Sequence, residues 1–304
     1  MSAAPRIIVI GARSVRQGTG PFLAAGLSRA GADVAAVVGT TEASAAEAVT
    51  GLRRDWQLET QGFADLDRAL AQVEPDAVVI SSPWRFHAQH LETVAAAGCH
   101  CLVEKPLAWP ASLAEVEQLV AMFRSHELLL QQVAQWPTTL PAFARLHGGL
   151  PERPGRFIMR LSPLSIGEDM ITDSAPHFLS MLHALAGPGD CEEVAINHRD
   201  AQLALSCHYR HAGGSIEATL LLATCAQRPR PAWYQVDALR ADREVTLPEY
   251  TQSLVCAEHR VELEDPMHQV AAQFLQDLRS HRRTDGPALL GAHRNLQQLA
   301  AAWR

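Results

Sequence analysis

Two stretches of this sequence carry side chains able to hold charge and move protons. Glu104-Lys105-Pro106 closes a short apolar run, Cys99 to Val103, and so puts an ammonium directly after a buried strand. An ammonium there can stabilise negative charge as it develops on a reacting oxygen. Further along, Asp173 and His177 stand four residues apart, which on a helix places them on one face. Imidazole has the unperturbed pKa nearest neutrality, which suits a general acid or base. Taken alone, the second stretch also reads as a helix N-terminus, with Asp173 as its cap and His177 an incidental polar residue.

The elements that must position Lys105 are legible around it. Ala77–Ile80 is an apolar, β-branched run of the length expected for a strand buried on both faces, and Ser81-Ser82-Pro83 ends it. His87 to Ala97 has Leu91, Val94 and Ala95 at helical spacing, with Gly98 where a C-cap belongs. Cys99 to Val103 then gives a second strand. This is a β–α–β unit whose strands end on Ser81, Ser82, Pro83 and on Glu104, Lys105, the edge at which open α/β sheets bind ligands.

The chain start has the order of a mononucleotide-binding unit. Ile7–Ile10 is a strand, Gly11 follows, Gly20-Pro21 opens a helix through Leu27, and Asp33–Val38 is the next strand. The glycine fingerprint is stretched: Gly11 and Gly20 are nine apart, and the middle glycine has no clear match. The helix at Gly20 still offers a positive dipole end to a pyrophosphate, and Arg13 and Arg16 add charge in the loop. After the second strand comes Gly39-Thr40-Thr41, where an NAD-specific site usually has a carboxylate. Two hydroxyls and no acid favour NADP over NAD; the alternative is that Thr40 and Thr41 only cap the next helix, Glu42–Leu52. Phe63–Val73 and Ser112–His126 read as helices, and Leu128–Ala134 as the last strand of this half.

Composition bounds the rest. At 304 residues, two domains are expected, divided as 1–124 and 125–304. A net charge of −7 argues against a nucleic-acid surface, and no apolar run is long enough for a membrane span. Six cysteines without framework spacing, and a start that runs directly into a strand, fit a cytoplasmic location. Cys99-His100-Cys101 has metal-ligand residue types, but strand alternation turns His100 away from both sulfurs; no metal site is expected. In the second half, Arg156–Leu161, Glu192–Asn197, Leu203–Tyr209, Ser215–Ala223, Tyr234–Leu239 and Arg243–Leu247 read as strands of a largely antiparallel, open-faced sheet, with Gly213-Gly214 as a hairpin turn. Met267–Leu278 and Leu289–Trp303 read as closing helices.

The order strand, Ser82-Pro83, His87, helix, glycine, strand, Glu104-Lys105-Pro106 resembles the glucose-fructose oxidoreductase/inositol dehydrogenase (Gfo/Idh/MocA) family. The stretch Asp173 to Ser180 is similar to that family's D-x-x-x-H-x-x-D signature, with Ser180 in place of the final acid. Gln135-Trp136-Pro137 lacks the Arg that in the family helps hold substrate. The resemblance implies an α/β protein: an N-terminal Rossmann domain and a C-terminal α+β domain whose sheet pairs subunits, as a homodimer or homotetramer. It also implies catalysis by Lys105, Asp173 and His177. Gly11, Arg13, Gly20, Thr40, Thr41, Ser81, Ser82, Pro83, His87, Glu104 and Lys105 would bind NADP or NAD. The implied activity is hydride transfer between the nicotinamide and a hydroxyl or carbonyl carbon of a sugar, polyol or similar small substrate. The alternatives are a non-catalytic NAD(P)-binding regulator of the same fold and a reductase of an imine or other non-sugar substrate.

Overall fold

A computed structural model describes residues 4–14, 18–247 and 250–303; Arg16 lies outside the described residues. Two compact units emerge. The first runs to Val133 and takes in Met267–Leu290; the second holds Ala134–Pro266 and the chain from Gly291.

The first unit is a parallel sheet. Its elements are β1 (Arg6–Ile10), α1 (Gly20–Arg29), β2 (Asp33–Val38), α2 (Glu42–Trp56), β3 (Gln61–Phe63), α3 (Leu66–Val73), β4 (Ala77–Ile80), α4 (His87–Ala96), β5 (His100–Val103), α5 (Leu113–Ser125) and β6 (Leu130–Gln132). The strand order is β3-β2-β1-β4-β5-β6, parallel throughout. Ile7 to Ile10 and Ala77 to Ile80 are almost wholly buried because both sheet faces are covered. Ile8, Val78 and Val103 face a core with Leu91 and Phe123, while Ile7, Val9 and Val79 face one with Leu23 and Leu27. The expected helix from Phe63 is corrected: Phe63 ends an edge strand, and Asp65 caps α3 by accepting from the Arg68 N–H at 2.7 Å. Gly98 sits at φ +72° after α4, as a C-terminal glycine should.

The second unit is a mixed sheet. It comprises α6 (Leu140–His147), β7 (Arg156–Leu161), α7 (Asp169–Ala186), β8 (Gly189–Arg199), β9 (Gln202–His211), β10 (Gly214–Ala223), β11 (Ala232–Val236), β12 (Leu239–Thr246), β13 (Thr251–Cys256) and β14 (His259–Leu263). Strand order is β14-β13-β12-β11-β7-β10-β9-β8, and only β7 and β10 run parallel. The sheet is thus larger than the sequence indicated, by β13 and β14. The β9–β10 turn is Ala212-Gly213, with Gly214 already paired to His211. α7 covers one face, with Phe178 stacked on Phe157 at 5.7 Å between ring centres. On the other face Ile158, Thr219, Leu221 and Trp233 are only partly buried.

The last helices are α8 (Pro266–Arg279) and α9 (Gly286–Ala301). Met267, Ala271, Phe274, Leu275 and Leu278 join the first unit's core. With β6 paired to β5, this moves the division drawn at residue 124 to Val133 and makes the first unit discontinuous.

Candidate functional site

Strand order in the first unit reverses between β1 and β4, so their carboxyl ends form the crevice where an open α/β sheet takes a ligand. Gly11 turns there at φ +85°, and a Cβ on it would stand 2.7 Å from the Ser81 carbonyl oxygen. A Cβ on Gly20 would fall on the Gly11 carbonyl oxygen. The two glycines therefore allow a tight turn and close seating of α1, despite the long loop between them. No side chain caps α1 and no acid occupies its first turn. Thr19, directly before it, instead bonds Ser81 through the two hydroxyls at 2.8 Å. Thr19 was not singled out in the sequence; its place just ahead of Gly20 is the only signal it carries.

At the end of β2, Thr41 caps α2. Its hydroxyl oxygen accepts from the Ser44 N–H at 3.1 Å, and Ser44 Oγ accepts from the Thr41 N–H at 3.0 Å. The capping alternative thus describes Thr41, which keeps its hydroxyl proton for a further acceptor, while Thr40 is exposed. Arg13 pairs with Glu47 of α2 at 2.5 Å, which puts its guanidinium beside the same helix.

Between β4 and β5 the key contact is buried. His87 is wholly enclosed, its Nε2 2.8 Å from the Ser82 carbonyl oxygen and its Nδ1 2.9 Å from that of Pro106. Both partners only accept, so a neutral ring satisfies one of them at a time. Burial pushes the imidazole pKa down, opposed by the two carbonyls and the nearby Glu104 carboxylate. His87 therefore ties the Lys105 loop to the Ser82 loop and offers no face to a cofactor, which corrects its expected role. Glu104 is buried too; its Oε2 accepts from the Lys105 N–H at 3.1 Å, and Oε1 has no hydrogen-bond partner among the described residues. Lys105 and the hydroxyl-bearing Ser81 and Ser82 are partly open, and Pro83 is exposed. Ser82 Oγ lies 3.1 Å from His90 Nδ1.

In the second unit Asp173 lies inside α7, beyond its first turn, so it is not the helix cap. Along the buried stretch from Met170 to Leu182, only Asp173, His177 and Ser180 stay partly open, a single stripe at helical spacing. Pro176, directly before His177, leaves the Thr172 carbonyl without its helical donor. Ser180 donates to the His177 carbonyl at 2.7 Å, so its hydroxyl is turned onto its own helix.

Residues 5–133 match the model of an oxidoreductase family with an NAD-binding Rossmann fold, GFO_IDH_MocA. That stretch, the continuous part of the first unit, is similar to the Gfo/Idh/MocA family. The matched family is one of NAD(P)-dependent oxidoreductases. No curated protein matches the sequence. Among solved structures, UDP-N-acetylglucosamine 3-dehydrogenase GnnA from Acidithiobacillus ferrooxidans is similar at 22% identity and TM-score 0.72, over 99% of this chain and 98% of that one. An oxidoreductase from Agrobacterium radiobacter, in complex with NAD+, L-tartaric acid and magnesium, gives 15%, 0.69, 99% and 98%. A 3-ketoreductase from Actinomadura kijaniata, KijD10, in complex with TDP-benzene and NADP, gives 17%, 0.69, 98% and 98%. At these identities the likeness is one of fold, and it extends over both units of the chain.

Proposed function

We propose that the protein is an NADP(H)-preferring dehydrogenase or reductase that acts on a hydroxyl or carbonyl carbon of a sugar-like, polyoxygenated small molecule. The observation that carries this reading is the Gly11–Gly20 crevice, with Lys105 at the end of a neighbouring strand. The residues fit a dinucleotide, since the two glycines let the turn close and seat the uncapped, acid-free N-terminus of α1 at the crevice, where it can take a pyrophosphate. Gly11, Gly20, Thr19 and Ser81 would hold the pyrophosphate. Thr40, the Thr41 hydroxyl and Arg13 would face the adenosine ribose, with no carboxylate in Gly39-Thr40-Thr41 to repel a 2′-phosphate. When bound, the nicotinamide supplies or receives the hydride.

The chain's own residues do the rest. Lys105 holds the reacting oxygen and stabilises negative charge on it. His177 delivers or removes the proton at that oxygen, and Asp173 binds a substrate hydroxyl and balances the Lys105 charge. A regulator that binds cofactor without chemistry is the second reading, favoured by Ser180, whose hydroxyl is spent on its own helix. GnnA and KijD10 are named for nucleotide-sugar or keto chemistry, which supports carbonyl and polyol compounds as the panel to screen with NADPH and NADH. Turnover of at least one compound, with NADPH bound more tightly than NADH and less so at high salt, is expected. Equal or tighter NADH binding refutes the cofactor preference, and cofactor binding without any turnover leaves the regulator.

A further inference from the structure

Two arginines of the second unit, Arg243 and Arg230, have no acidic partner among the described residues. Arg243, on β12, is partly buried, and its Nε is sealed from solvent without a hydrogen-bond partner among the described residues. It pairs across the sheet with Ala232 on one side and Leu254 on the other, neither of which can neutralise it. That register puts it on the same sheet face as Tyr234, Met159 and Phe157, the face that α7 covers. Its guanidinium stands 5.2 Å from the centre of the Trp136 ring. The acids flanking it in sequence point to the other face and are engaged there, Asp242 with Arg240 at 2.7 Å and Glu244 with Arg260.

Arg230 approaches the same place. Its Nε donates to the Cys225 carbonyl at 2.9 Å, and its charge is felt at Arg243. Burial lowers the pKa of both guanidiniums, the like charge of Arg230 lowers that of Arg243 further, and only the Tyr250 hydroxyl opposes this at Arg243. A buried cation without a counter-charge is costly, and the cost disappears when an anion arrives.

We propose that Arg243, assisted by Arg230, is a binding subsite for an anionic group of the substrate, a carboxylate or a phosphate. Trp136 is the floor of this subsite. It lies in the segment Gln135-Trp136-Pro137, which has no basic residue, and Arg243 brings a guanidinium to that segment from a different part of the chain. The 3₁₀ turn Pro137–Thr139 that follows Trp136 packs against α7, the helix that carries Asp173 and His177. Planar guanidinium suits two-point bonding to either anion. The subsite rests on the oxidoreductase reading and narrows its substrate to an acidic one.

The test uses the full chain saturated with NADPH, whose own affinity is measured first by its fluorescence. Calorimetric titration with D-gluconate, D-glucose 6-phosphate and D-glucose compares carboxylate, phosphate and neutral probes of similar size. At least one anion should bind about tenfold or more tightly than glucose. The winning arm says which anion is taken. Arg243→Met should abolish the preference, Arg243→Lys should retain part of it, and Arg230→Met should weaken it. All three should keep NADPH affinity within about twofold, well inside the tenfold effect being sought. Equal binding of the three probes, or a preference that survives Arg243→Met, overturns the subsite while the oxidoreductase reading stands. Failure of the wild-type protein to bind NADPH removes the reading beneath it as well.

Discussion

His87 has no surface of its own, yet it holds together the two loops that form the edge of the first sheet. His87→Leu removes the one ring N–H that the two carbonyls share, for which about 1–3 kcal/mol of stability should be lost. The pH dependence follows from the direction of its shift. Burial lowers the pKa of His87, and of His90 and His100 as well. The unfolded chain therefore takes up protons near pH 6.5 that the folded chain refuses. Denaturant unfolding should show stability level above about pH 7 and falling as the pH drops through and below about 6.5. The fall should be shallower in His87→Leu; a rise in stability on acidification contradicts the assignment. For the chemistry, Lys105→Ala and His177→Ala should each lower kcat by about 10²–10⁴ with little change in NADPH affinity. On the proposed chemistry the double variant should lose less than the product of the two, since groups that act as one unit are not additive. Near-full activity in His177→Ala removes it as the acid. The Glu104-Lys105-Pro106 and Asp173–His177 patterns were legible because each lies within a few consecutive residues. The clamp by His87 depends on carbonyls 5 and 19 residues away, and Arg243 on a strand register, neither of which leaves a local mark.

At the scale of elements, α1 shows how a stretched fingerprint still works. Its first residue, Gly20, packs so closely on the Gly11 carbonyl that any side chain must push the helix off β1. Gly20→Ala should therefore destabilise the protein by about 1–3 kcal/mol, the usual cost of overpacking, and weaken NADPH binding at the same time. Thermal melting and cofactor titration on one preparation check both; unchanged affinity separates α1 from the cofactor site. The strands and helices of the first unit were readable because burial on both faces gives continuous apolar runs such as Ile7–Ile10 and Ala77–Ile80. β3 was not: a three-residue edge strand, Gln61-Gly62-Phe63, has no room for a pattern. β13 and β14 were hidden by exposed polar residues such as Thr251, His259 and Arg260 at the sheet edge. α6 was hidden by Pro137 and Pro141, which in sequence read as loop punctuation and here sit in a 3₁₀ turn and at the helix start.

For the whole molecule, the face of the eight-stranded sheet turned away from α7 is the surface expected to set assembly. Its centre carries two adjacent rows, Gln235, Ile158, Thr219 and Ser206, then Trp233, Arg160, Leu221 and Ala204. Arg240 lies over the Trp233 ring at 4.1 Å and pairs with Asp242, so Ile158, Trp233 and Leu221 stand among polar and charged side chains. Large apolar side chains mixed with polar ones and arginine are common in protein interfaces, and a twofold axis allows one such patch to cover another. The expected occupant is a second copy of this chain, giving a homodimer or a tetramer built from dimers. Light scattering after gel filtration at micromolar concentration should return twice the chain mass or four times it. Leu221→Glu places a carboxylate in the middle of the patch and a second one opposite across the axis, so it should shift the mass toward that of a single chain. Because Leu221 lies on the face away from α7, the same variant should keep its cofactor affinity and its far-ultraviolet dichroism. A wild-type protein that is strictly monomeric under these conditions contradicts the assembly, and so does a Leu221→Glu variant that keeps the full oligomeric mass.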